Sequence, residues 1–153
     1  MKSPLISEPA TNALARGNVR KANVILGFEY SIEGKVVHGN HIGRTLGFPT
    51  ANLELEASQP MLPAHGVYRV RVGVNGHLFQ GITNIGLRPT IDGRLVTVEV
   101  NIFDFDGDIY GHQLVIWFLD RIRKEKKFNS LDELAAQIKQ DKKKALSLFS
   151  RFR

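Results

Sequence analysis

Residues 68–85 read YRVRVGVNGHLFQGITNI, and the fold turns on this stretch. Tyr68, Val70, Val72 and Val74 alternate with Arg69, Arg71 and Gly73, the period of a strand with one buried face. Asn75-Gly76 follows where a two-residue hairpin turn would sit, because both residue types tolerate positive φ, and a second strand is expected from His77 to Ile85. Working outward, Leu95 to Phe103 and Gln113 to Leu119 alternate in the same way, with Asp106-Gly107 as a turn between them. Before the hairpin, from Gly34 onward, short β-rich runs are separated by Gly, Pro and Asn. Five or six short strands spaced by turns predict an antiparallel barrel or sandwich rather than βαβ units.

The two ends of the chain have a different texture. Residues 1–10 hold two prolines among polar residues and read as a loose start, whereas 11–26 carry short helical periodicity broken at Gly17, with Asn18 placed to restart a turn. At the other end Ser130 and Glu133 form a capping box. Leu131, Leu134, Ala135, Ile138, Ala145, Leu146 and Phe149 then lie on or near one stripe, predicting an amphipathic helix over about residues 131–149.

The 153 residues fit one domain, large enough to bury a core without staples. There is no Cys, which excludes thiol nucleophiles, zinc ribbons and a disulfide framework. No apolar run approaches the ~18–20 residues of a membrane span, and no signal peptide is recognisable, so the expected location is cytoplasmic. The formal charge of +6 is uneven. Residues 1–120 carry 10 Lys and Arg against 11 Asp and Glu, while 121–153 carry 11 against 4. A basic tail could signal nucleic acid. Lys142, Lys143 and Lys144, however, lie toward the C-terminal end of the expected helix, where cations complement the dipole and a solvated face explains them.

The densest chemistry lies in residues 34–53, GKVVHGNHIGRTLGFPTANL, with four glycines in fourteen residues and a basic residue between two of them. Such a loop lets backbone N–H groups approach an anion, although turns alone can account for glycines. Several familiar motifs are absent. No G-x-x-x-x-G-K-[ST] occurs, excluding a P-loop. Asp104-Phe105-Asp106-Gly107 lacks the companion motifs of protein kinases. As a calcium loop, Asp104, Asp106 and Asp108 fail because Gly107 is misplaced and Val115 replaces the bidentate Glu. An acidic turn accounts for them.

Taken in order, however, these segments closely resemble the riboflavin kinase family. Residues 34–53 match its signature G-x-V-V-x-G-x-x-x-G-R-x-L-G-F-P-T-A-N at every specified position. Leu62-Pro63 with Gly66-Val67-Tyr68, the block Asn84 to Thr90, and Glu99 to Phe105 closing with Asp108 to Gly111 follow in family order. Arg121 to Phe128, the helix after it and Asp141 also match. The resemblance covers about residues 22–146 and is similar to the C-terminal kinase module of bacterial bifunctional FAD synthetases. Residues 7–27 look like the joint between the two modules of such proteins, without an intact phosphate motif near Ser7, Ala10 and Thr11. The expected division is a linker-like segment over 1–21 and a kinase domain over 22–153, without the adenylyltransferase domain, so that the expected product is FMN alone.

The resemblance implies a mainly β fold: a six-stranded antiparallel Greek-key barrel with a C-terminal amphipathic helix and short N-terminal helical segments. It implies transfer of the γ-phosphate of ATP to the 5′-hydroxyl of riboflavin, with Mg2+ as cofactor. Glu99 matches the general base, and Thr50 and Asn52 match positions that hold the metal and phosphate oxygens. Gly39, Gly43, Arg44 and Gly47 would cover the nucleotide, with Lys35 nearby as a phosphate partner. Arg123 and Phe128 are expected on the flavin side, where a cation and a ring could contact the isoalloxazine. The expected partners are the small molecules riboflavin and ATP, with no membrane or nucleic acid and a monomeric state. The alternative is a flavin-binding regulatory protein touching nucleic acid through its basic C-terminal segment; retention of Thr50, Asn52 and Glu99 argues against it.

Overall fold

The computed structural model describes residues 7–37, 50–55 and 61–151. Two short helices, α1 (Glu8–Ala15) and α2 (Val19–Leu26), precede six strands: β1 (Ser31–Val37), β2 (Ala51–Leu55), β3 (Gly66–Val74), β4 (His77–Thr90), β5 (Gly93–Ile102) and β6 (Gln113–Lys124). A long helix, α3 (Leu131–Arg151), closes the described chain. The strands pair antiparallel in a closed barrel of order β1-β2-β5-β4-β3-β6. Within it β3, β4 and β5 form a meander and β6 returns beside β3, the Greek-key order. The expected barrel, C-terminal helix and N-terminal helical pieces are all present, and the sandwich is excluded.

The β3–β4 hairpin forms where Asn75-Gly76 predicts it. Their φ values of 52° and 80° give the doubly left-handed turn that matches strand twist, and Val74 pairs with His77. Strand β4 runs on past Ile85 to Thr90, because the ladder with β5 carries it through Gly86 and Pro89, two poor strand formers. Asp106-Gly107 does not join paired strands. β5 and β6 are not neighbours, and residues 103–112 cross the end of β1, where Gly111 N donates to Val36 O and Val36 N to His112 O.

Strand β6 serves two cores. Leu114, Ile116 and Phe118 fill the barrel interior with Val70, Val72, Val100 and Tyr68, whose ring meets Phe118 edge-on at 5.3 Å. Opposite β3 the register then skips Leu119 and Ile122. These bulged residues join Val67, Ile82, Phe103, Ala145 and Phe149 in a second cluster between the barrel's outer face and α3. Arg69 pairs with Asp120 at 2.8 Å, both nearly buried, and its guanidinium lies 4.6 Å from the centre of the Phe149 ring.

Helix α1 begins at Glu8, earlier than the loose start expected, with Pro9 tolerated in its first turn. Asn18 caps α2 by accepting from Lys21 N, and Gly17 supplies φ 79° between the helices. Ala13, Leu14, Val19 and Ala22 bury in the same cluster as the barrel interior. The segment 61–65 is pinned from several sides. Ala64 N donates to Leu14 O, and the Tyr30 and Tyr68 hydroxyls donate to the carbonyls of Met61 and Ala64. Burial pushes both phenols up to about 12, which keeps them donors.

The start of α3 is a variant of the expected box: Glu133 N donates to Ser130 Oγ, while the Glu133 carboxylate accepts from Asn129 N. The helix lysines are less uniformly solvated than expected. Lys143 is exposed, but Lys144 donates to Ile122 O and Lys142 lies over the Phe103 ring.

Candidate active site

The site lies on the outside of the barrel. On β5, Val98 and Val100 point inward, so Thr97, Glu99 and Asn101 face outward. Strand pairing sets Glu99 opposite Asn52 of β2 on one side and Asn84 of β4 on the other. The row continues from Asn84 to Val67 of β3 and on to Arg123 of β6. Five strands thus place Asn52, Glu99, Asn84, Val67 and Arg123 along one line across the barrel wall.

Above this row a cavity of about 330 Å3 opens between the barrel face, the end of β6 and α3. That is the lower end of the size range of small-molecule sites. Thr50, Glu99, Arg123 and Phe128 all line it, so four residues singled out from different parts of the sequence converge on one space. Asn52 stands next to Glu99 in the ladder without lining the cavity. Lys35 is exposed on β1, paired with Glu54 and Gln113, and does not reach the cavity lining. Gly39, Gly43, Arg44 and Gly47 lie outside the described residues.

Burial raises the Glu99 pKa above the ordinary carboxylate range, and the positive charge of Arg88, also in the lining, pulls it partly back. Glu99 is therefore a carboxylate whose proton affinity is increased. Arg123 presents a forked pair to Asp141, with Nε to Oδ1 and Nη2 to Oδ2 both at 2.9 Å, and Gln137 donates to the same carboxylate. Its guanidinium also lies 5.7 Å from the centre of the Phe128 ring. Glu125 accepts from Leu87 N and tethers the outer part of β4 to the segment after β6.

Sequence reading missed Asn84 and Arg88 as individual lining residues, since their block was matched only as a block. It also missed Glu125. The signal that could have found Asn84 is its place in the outward-facing alternation of β4. Arg121, which opens the matched block 121–128, donates to the carbonyls of Arg16 and His65 and ties α1 to the barrel.

Among the described residues no cluster of three or more His, Cys, Asp or Glu could hold a metal. A cation here would take neutral oxygens from Thr50 and Asn52 and complete its shell with phosphate oxygens and water. That donor set suits Mg2+, which is commonly held by few protein ligands together with substrate phosphates. No helix of the described chain is long and apolar enough to cross a membrane.

Comparison with known proteins agrees with the barrel fold and identifies a family. The riboflavin kinase (flavokinase) family model matches residues 26–149. A bifunctional riboflavin kinase/FMN adenylyltransferase of Bacillus subtilis (strain 168) is 46% identical over 144 residues, covering 92% of this chain and 45% of the relative. One of the same name from Escherichia coli (strain K12) is 42% identical over 144 residues, covering 94% and 45%. Among solved structures, a Streptococcus pneumoniae protein named as a macrolide-efflux protein superposes with TM-score 0.84 at 43% identity, over 90% of this chain and 45% of that one. The riboflavin kinase from Trypanosoma brucei gives TM-score 0.56 at 28% identity, over 80% and 78%. The chain spans a little under half the length of the bacterial relatives it matches. With a matching family model over most of its length, the chain belongs to the riboflavin kinase family.

Proposed function

We propose that the chain transfers the γ-phosphate of ATP to the 5′-hydroxyl of riboflavin, forming FMN and ADP. The observation that carries this reading is Glu99: a carboxylate of raised proton affinity at the cavity wall, in register between two neutral amides. In the proposed reaction Glu99 takes the hydroxyl proton as the oxygen attacks the γ-phosphorus and the bond to the β-phosphate oxygen breaks. Phosphoryl transfer of this kind depends on positioning and charge neutralisation.

Thr50 and Asn52 would hold Mg2+ and phosphate oxygens at the β2 end of the row. Bound there, the metal neutralises charge on the phosphates. Arg88 would favour the ionised form of Glu99 against the cost of burial. Arg123 and Phe128 offer a cation and a ring face to the flavin, and Asp141 fixes the guanidinium in place. The two ends of one row thereby separate the nucleotide from the flavin, with the base between them. The proposed setting is a cytoplasmic monomer acting on small molecules.

Incubating the protein with riboflavin and MgATP and resolving the flavins chromatographically tests the reading. FMN should accumulate with turnover and depend on added Mg2+. No FMN at micromolar protein overturns it.

A further inference from the structure

Asn84 is a residue to which neither the fold nor the proposed phosphoryl transfer has yet given a task. Its neighbours across the ladder are Glu99 and Val67, and it lines the cavity. Its side chain makes no hydrogen bond to another described residue. The amide Nδ2 lies 3.8 Å from the point where a Cβ on Gly86 would stand, a point that the Glu125 carboxylate also crowds. A half-buried amide left unpaired in a cavity wall costs free energy unless something in the cavity pairs with it.

The order of the row says what that something is. Each step between strands is ~4.8 Å. In the proposed reaction the terminal hydroxyl meets Glu99 and the ring meets Arg123 and Phe128. Whatever links hydroxyl to ring must pass over Asn84, one step from Glu99 on the side away from Asn52. In riboflavin that link is a polyol, whose hydroxyls both donate and accept; an amide does the same from one side chain. A phosphate is a poorer match, because it would stand beside the Glu99 carboxylate without a cation from Asn84.

We propose that Asn84 is a specificity-determining residue that binds the sugar-alcohol chain of the flavin and sets its terminal hydroxyl against Glu99. The inference rests on the kinase reading and adds a selection for flavins with a hydroxylated chain.

The test compares riboflavin with lumiflavin, the same ring carrying a methyl group in place of the chain. Equilibrium binding of each is measured by flavin fluorescence to wild type, Asn84→Leu and Asn84→Ala. Losing hydrogen bonds to the chain should weaken riboflavin about tenfold in both variants, with lumiflavin unchanged. Turnover at saturating riboflavin should fall as well, because the hydroxyl is no longer held in line. Riboflavin binding equal to wild type overturns the inference, and so does an equal weakening of both flavins. Should Asn84→Leu melt early, Asn84→Ala carries the comparison. A wild-type protein that binds no riboflavin removes the kinase reading and this inference together. One that makes FMN while its Asn84 variants discriminate normally removes this inference alone.

Discussion

Arg123 near the end of β6 and Asp141 in the middle of α3 are joined by a two-pronged ion pair that fastens the helix to the barrel at the edge of the cavity. Asp141 is 3% exposed, while the Arg123 side chain retains 20% of its exposure on the cavity side. The carboxylate is the anchored member and the guanidinium the presented one. Replacing Asp141 by Ala leaves a cation without its buried partner and should destabilise the fold by about 3 kcal/mol, the lower end for such breaks because Arg123 keeps some water. Urea unfolding checks the stability. Riboflavin affinity should fall with it, since Arg123 no longer has a fixed orientation over Phe128. A variant of normal stability and normal flavin binding would show that the pair does neither task.

Glu99→Gln separates stability from chemistry. The folded-state pKa of Glu99 lies above its unfolded value, so ionising it costs stability once the pH rises past the ordinary carboxylate range. Gln cannot ionise. The variant should therefore unfold at higher urea than wild type at neutral pH, with the difference closing as the pH falls below that range. Turnover should drop ~10²–10⁴-fold, the usual worth of a general base, while flavin quenching persists. Near-normal turnover would take the base role away from Glu99.

Arg88 offers a pH test of the same carboxylate. Burial raises the Glu99 pKa and the Arg88 charge lowers it. The acid limb of kcat/KM, reporting protonation of the base in the free enzyme, should lie above the ordinary Glu range. Removing the charge in Arg88→Met leaves burial unopposed, so the limb should move to higher pH. Raising salt should shift wild type in the same direction, though less, because a pair partly shielded from solvent is screened weakly. A limb that stays put in Arg88→Met would mean another cation sets the base.

These tests rest on a structure of which the local parts were the legible ones. Asn75-Gly76 announces its hairpin because the turn needs positive φ at both positions, and Ser130 announces α3 because its hydroxyl meets an orphan amide three residues on. The bulges at Leu119 and Ile122 were not legible. A one-residue skip is a property of the partner strand, and nothing in β6 alone says which residues β3 will pass over. For the same reason Asn84 and Asp141 could be matched in blocks but not assigned tasks: Asn84 meets Glu99 only through cross-strand register, and Asp141 meets Arg123 only once α3 lies on the barrel. Glu99 itself looked like any outward strand residue, and only the family resemblance singled it out.

Arg69 and Asp120 test how α3 is held near its C-terminal end. Both are nearly buried, Asp120 accepts from Nε and Nη2 of Arg69, and the Phe149 ring covers the guanidinium. Breaking a buried pair from one side strands the remaining charge, so Asp120→Leu should cost about 3–5 kcal/mol. The double variant Arg69→Met with Asp120→Leu removes both charges and fills similar volume, and it should recover most of that loss. If the pair serves only to seat the helix, riboflavin affinity in the double variant will match wild type, because Asp141 lies about two helical turns from Phe149. A double variant as unstable as Asp120→Leu alone would instead assign the cost to lost hydrogen bonds and packing rather than to an unpaired charge, and would make Phe149 the residue that seats the helix.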